Sequence, residues 1–214
     1  VRRFVGEIID YLDGRGVKLV VIACNTLTVL GVDTLKGSHA FEIVGMSKGA
    51  QLVLAASSRK KIGVFATEFT INSGAHKAAI LAADDGADVY PQACPKFVPL
   101  IEGEQFDSAE VRAAVAEYAA PLKAAGIDTL ILSCTHYPFI QKEIESEFGS
   151  EVTVIDPADA TAQDTKTVLA AEGLLRSEGA GTLEVCFTAD VERGARIAGR
   201  VLPQGKCLFK EIKL

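Results

Sequence analysis

Residues 16–26, GVKLVVIACNT, and residues 126–136, GIDTLILSCTH, are two versions of one stretch. Each opens on glycine, runs through apolar residues, and stops at a cysteine followed by small polar residues. The Val17–Ala23 run is rich in β-branched residues, which predicts a strand buried on both faces of a parallel sheet. The two copies stand 110 residues apart, and the match extends upstream: Glu7 with Glu117, Leu12 with Leu122, Gly16 with Gly126, Cys24 with Cys134. Helix, glycine, strand and cysteine therefore occur twice in the same order. Two such units packed face to face can bring two thiols into one cleft.

Outward from these stretches, helix and strand patterns alternate. Phe4–Asp13 carries Val5, Ile8, Ile9 and Leu12 at helical spacing, with Gly14 and Gly16 as stop signals. Thr26–Leu35, Gly49–Ser57, Ala109–Ala125, Ala160–Ser177 and Val191–Val201 read as helices. So does a segment leading from a polar turn at Thr67–Gly74 to near Asp84. Pro138 fits the first turn of a further helix. Strands are expected at Phe41–Val44, Lys61–Ala66, Ala87–Tyr90, Thr129–Ser133, Val152–Ile155, Thr182–Phe187 and Lys206–Ile212. This alternation predicts an α/β fold with mainly parallel sheets, and the duplication predicts two similar α/β halves. Roughly fifty residues, with a strand and a turn, precede the second copy of the repeat, whereas the chain opens directly on the first. The first half is therefore expected to lack its opening strand, loop and helix.

Composition narrows the function. With 49% hydrophobic and 23% charged residues, the 214-residue chain carries enough apolar mass for a real core. A net charge of −6 argues against nucleic acid and acidic membrane surfaces as partners. No apolar run is long enough to span a bilayer, and the opening residues do not read as a signal peptide. Five cysteines, an odd number with no CxxC pair, point to free thiols in a reducing, cytoplasmic compartment.

In parallel α/β sheets, ligands bind beyond the carboxyl ends of strands. Cys24, Thr67 and Cys134 all fall at such ends, followed by Asn25 and Thr26, by Glu68–Thr70, and by Thr135 and His136. Hydroxyls, amides and backbone N–H groups in these turns suit a carboxylate. That lets an acidic chain hold an anion without a basic cluster. A pair of sulfurs on opposite faces of a substrate can remove an α-proton on one side and return one on the other. The two thiols must then be in different protonation states. His136 is placed to poise Cys134, and Glu102, in the loop-like stretch CPKFVPLIE at 94–102, to orient His136 or tune a thiol.

Plainer readings stand beside these. Cys94, Cys186 and Cys207 fit the small-hydrophobe role common for buried cysteine. A cysteine hydrolase with Cys134 as nucleophile leaves Cys24 without a role. Zinc needs three or four ligands, and Cys134 with His136 is too few, so no metal is expected. Thr67 and Thr70 can serve as helix caps, His136 as a helix N-terminal residue, and Glu102 as a solvated acid. His39 and His76 are expected at the surface, and Asp84-Asp85 at the solvated end of a helix.

ACNT at 23–26 and CTHYP at 134–138 resemble the two signature motifs of the glutamate racemase family, within the aspartate/glutamate racemase superfamily. Thr67–Ser73 resembles that family's threonine-rich loop, and Cys94–Glu102 its CP…FVPL(V/I)E segment. The resemblance runs along nearly the whole chain. It implies a cofactor-independent enzyme that interconverts L- and D-glutamate by two-base proton transfer and supplies D-glutamate for peptidoglycan. It implies two α/β domains with the active site between them, and a homodimer. Carried over by position, Cys24 and Cys134 are the acid/base pair, assisted by His136 and Glu102. Asn25, Thr26, Thr67, Thr70 and Thr135 contact the substrate. The first domain comprises residues 1–47 and 158–214, the second 48–157. The family's Asp-Ser-Gly opening strand and Tyr-Gly loop are not in this chain. Leu27 follows Asn-Thr where a small residue is usual, Ser133 replaces a glycine, His76 stands where an aromatic is common, and Met46-Ser47-Lys48 replaces a proline-containing turn. An aspartate or other amino-acid racemase of the same superfamily, and an inactive binding relative, are the alternatives.

Overall fold

A computed structural model describes residues 2–31, 35, 37, 39–179, 181–202 and 207–214. The chain opens with α1 (Arg2–Asp13), β1 (Leu19–Ile22), α2 (Asn25–Gly31) and β2 (Glu42–Gly45). Then come α3 (Ala50–Ala56), β3 (Lys61–Ala66), α4 (Glu68–Asn72), α5 (Ala75–Ala83) and β4 (Asp88–Ala93). They are followed by α6 (Phe97–Glu102), α7 (Ala109–Ala125), β5 (Thr129–Ser133), α8 (Gln141–Phe148) and β6 (Thr153–Ile155). The last elements are α9 (Ala158–Ala171), β7 (Leu183–Phe187), α10 (Val191–Ala198) and β8 (Cys207–Glu211). Residues 32–34 of the expected Thr26–Leu35 helix, and Lys206 of the last strand, lie outside the described residues.

Every strand pair is parallel. The middle of the chain builds a four-stranded sheet in the order β4-β3-β5-β6. Its strands alternate between two cores. Phe65, Leu130 and Leu132 pack with Val115, Leu122 and Ile144 from α7 and α8. Ile62, Val64 and Ile131 pack with Val53 and Ile80 from α3 and α5. Coverage on both faces explains the unbroken apolar runs of β3 and β5. The first copy of the repeat forms a smaller sheet, β1 beside β2, with Ile9 of α1 against Val20, Ile22 and Ile43. β7 and β8 form a separate pair.

The repeat holds at the level of single hydrogen bonds. Gly16 and Gly126 both sit in the left-handed region, at φ 67° and 70°. Each donates its N–H to the residue three before it, Asp13 or Lys123. The residue after each donates to the matched leucine carbonyl, Leu12 or Leu122. This is the paired closure of a helix end in which glycine carries no steric penalty. It delivers β1 and β5 into equivalent positions.

Two expectations change. β1 is not buried on both faces: Val20 and Ile22 are buried, but Val21 is 38% exposed, because that face has no helix packed on it among the described residues. The loop-like stretch at 94–102 contains a helix, α6. Its Pro99 falls in the first turn, where a backbone N–H has no helical acceptor, so proline does not interrupt it.

Candidate active site

Cys24 leaves β1 and heads α2: its carbonyl accepts the Thr28 N–H at 2.9 Å, the first helical bond. The Thr28 hydroxyl donates to the same carbonyl at 2.9 Å and accepts the Met46 N–H at 3.0 Å. A Cβ on Gly45 would come within 2.8 Å of Thr28, so glycine there lets α2 approach β2. Thr28 is not among the expected site residues, although its place one helical turn past a strand-end cysteine is a usable signal.

Cys134 leaves β5 in the same manner. Its carbonyl accepts the Tyr137 N–H at 3.0 Å, opening a short 3-10 turn at Tyr137–Ile140. Burial pushes the Cys134 thiol up to about 11. The backbone N–H groups of His136 and Tyr137 oppose this rise, and the neighbouring Cys24 charge adds to it. The two matched sulfurs thus lie within electrostatic reach of each other. Cys94 is a third thiol beside Cys134. Burial holds it firmly protonated, and its carbonyl accepts the Tyr137 hydroxyl at 3.3 Å.

His136 lies between Glu102 and the Cys134 sulfur. Its Nε2 is 2.7 Å from Glu102 Oε1, and its Nδ1 is 4.0 Å from Cys134 Sγ. An ionised carboxylate only accepts hydrogen bonds, so Nε2 carries the proton and, in the neutral ring, Nδ1 turns its lone pair toward the thiol. Three hydroxyls also meet. Thr26 Oγ1 is 3.0 Å from Thr67 Oγ1 and 3.2 Å from Thr70 Oγ1, and Thr67 donates to Thr70 at 3.0 Å. Thr67 is also the cap of α4, accepting the Thr70 N–H, so the capping and site readings hold together. Asn25 is buried with Nδ2 unpartnered among the described residues. Thr135 is exposed in the turn between Cys134 and His136.

Neither histidine expected at the surface is there in the plain sense. His76 is 3% exposed, and burial lowers its pKa to about 4, with Lys48 adding to the fall. It is the second residue of α5 and shares a buried face with Ile80. His39 is partly covered, stacked on Phe41 and 3.8 Å from Asp13.

The family model described as Asp/Glu/Hydantoin racemase matches residues 3–165. A glutamate racemase from Lysinibacillus sphaericus is 36% identical over 216 aligned residues, covering 100% of this chain and 82% of that protein. The chain belongs to the glutamate racemase family. Membership makes it an amino-acid racemase, an isomerase. A second family member, from Lactiplantibacillus plantarum, is 42% identical over 79% of this chain and 62% of its own length. Among solved structures, a glutamate racemase isoform from Bacillus anthracis superposes with a TM-score of 0.90 at 31% identity. It covers 99% of this chain and 80% of that one. The Francisella tularensis glutamate racemase, solved with D-glutamate, gives 0.83 at 25% identity, covering 99% and 79%. The two-domain α/β architecture of the family is thus the architecture of this chain.

Proposed function

We propose that this chain interconverts L- and D-glutamate by two-base proton transfer, with Cys24 and Cys134 on opposite sides of the α-carbon. The observation that carries the reading is that the two repeat-matched cysteines end equivalent strands, with the Cys24 charge acting on Cys134. In one direction a Cys24 thiolate takes the α-proton while the Cys134 thiol returns one to the opposite face; in the other the roles reverse. The raised pKa of Cys134 suits it to the donor role. When it becomes a thiolate, the N–H groups of His136 and Tyr137 receive the charge. His136, oriented by Glu102, accepts from or donates to the sulfur through Nδ1. Thr26, Thr67 and Thr70, with Asn25 Nδ2 and Thr135, supply neutral donors for the substrate carboxylates. No cofactor enters this proton chemistry.

In this reading the first domain comprises residues 1–47 and 158–214 and the second 48–157, with the site in the cleft between them. The Ser47 N–H, bonded to Thr161 Oγ1 at 3.0 Å, ties the two crossings together. The enzyme acts as a cytoplasmic homodimer and supplies D-glutamate for peptidoglycan. Five free cysteines agree with a reducing compartment. No described helix is long and apolar enough to cross a membrane.

The test is α-proton exchange in D₂O, followed by NMR with L- and D-glutamate and with aspartate. Racemisation with deuterium entering Cα, abolished by Cys24→Ser and by Cys134→Ser in folded protein, supports the reading. Racemisation that survives the double substitution overturns it, and preference for aspartate reassigns the substrate.

A further inference from the structure

Glu104 occupies an unusual position. It follows α6, the helix that ends on Glu102, and its φ is +58°. Its N–H donates to the Ile101 carbonyl at 2.9 Å, and the Gln105 N–H donates to Leu100 at 3.0 Å. These bonds close a helix in the manner that normally takes glycine at the left-handed position, where a side chain is strained. Glutamate is found there instead, and its carboxylate is gripped from α10. Arg196 Nη2 lies 2.6 Å from Oε1, and Nε lies 3.1 and 3.3 Å from the two oxygens. This fork fixes orientation as well as distance.

A second contact runs in parallel. Just past the end of α10, the Arg200 guanidinium sits over the Phe106 ring at 3.9 Å. Phe106 packs on Phe139 with centroids 5.8 Å apart, and the Phe139 N–H donates to the His136 carbonyl at 3.1 Å. The helix that carries Glu102 and the turn that follows His136 are thus both held from the α10 segment.

The geometry points to Arg196 and Arg200 as positioning residues that clasp the Glu104–Phe106 turn and thereby hold Glu102 against His136 beside Cys134. Neither touches the reacting atoms. An exposed ion pair adds little to overall stability, and the role inferred for this one is local, to bias the register of Glu102. The inference rests on the two-thiol reading above.

Glu104→Gly tests it cleanly, because glycine prefers the left-handed backbone and removes only the grip. Expected results are an unfolding temperature at or above wild type, a KM within about twofold, and a kcat lower by about threefold to tenfold. Arg196→Ala is expected to lose as much, Arg196→Lys less, and Glu104→Gly with Arg196→Ala no more than either alone. Unchanged kcat in Glu104→Gly or Arg196→Ala, or losses that multiply in the double variant, overturns the clasp. Cys134→Ser, measured alongside, separates the two claims. If it is inactive while Glu104→Gly is unaffected, the clasp alone falls. If it turns over normally, the two-thiol reading falls first.

Discussion

The hydroxyl of Thr26 lies 3.0 Å from that of Thr67, although one closes the first copy of the repeat and the other directly follows β3 of the larger sheet. With Thr70 they form a three-membered ring of donors, each satisfied by the others. A carboxylate entering the ring exchanges neutral hydrogen bonds for charge-assisted ones. Thr26→Val is therefore expected to raise KM about tenfold, as the loss of one hydrogen bond to a charged group implies. Initial-rate kinetics in both directions check this, and an unchanged KM removes Thr26 from the substrate contacts.

Cys134 is buried and its pKa is raised to about 11, so little of it is thiolate near neutral pH. Its alkylation by iodoacetamide at pH 7.5 is expected to be slower than that of an ordinary thiol by on the order of a hundredfold. The rate should keep climbing past pH 9. Peptide mass mapping over time should show Cys24, which is partly exposed, labelled before Cys134.

His76 gives a stability signature in acid. Its folded-state pKa, about 4, is below its ordinary value of 6.5, so the unfolded chain takes up the proton first. The contribution is fully present above about pH 6.5 and is lost as the pH falls toward 4, amounting to about 3 kcal/mol. Both ring nitrogens are unpartnered among the described residues, beside a cavity of about 50 Å³ lined in part by Val64, Thr70 and Pro91. His76→Phe is expected to flatten that acid slope and to add about 1–2 kcal/mol at pH 7 by removing unmet polar groups. Denaturant unfolding at pH 7 and 5 reads both effects.

Asp128 anchors the start of β5. Its carboxylate accepts from Ser57 Oγ at 2.5 Å, the Arg59 N–H at 2.6 Å and Ser58 Oγ at 3.2 Å. Burial works to raise its pKa, but these hydrogen bonds outweigh burial and lower it. Its contribution is present above the ordinary carboxylate pKa and disappears as the pH falls through the depressed one. Asp128→Ala is expected to cost about 2–3 kcal/mol at neutral pH, measured by urea unfolding. An effect below half of that would show that the three donors find water instead.

Much of this molecule was legible in the chain because its signals are local. The glycine after each repeated helix, the β-branched run and the strand-end cysteine each have a short-range cause, and each structural counterpart is where the pattern put it. α6 was hidden because Pro95 and Pro99 read as breaks, while a proline in a first turn breaks nothing. His76 was misplaced because its polarity outweighed its spacing; four residues from Ile80, it lies on the buried face. The grip of Arg196 on Glu104 joins residues 92 positions apart and leaves no trace in either neighbourhood.

The duplication holds through helix, glycine turn and strand and is uneven in the side chains around its two cysteines. Cys134 has a histidine–glutamate pair at its back and lies buried; Cys24 opens a helix and is partly exposed. On the two-thiol proposal, an electrophilic inhibitor built on one enantiomer would meet a different partner from its mirror image. Handedness becomes a handle for choosing which sulfur to trap.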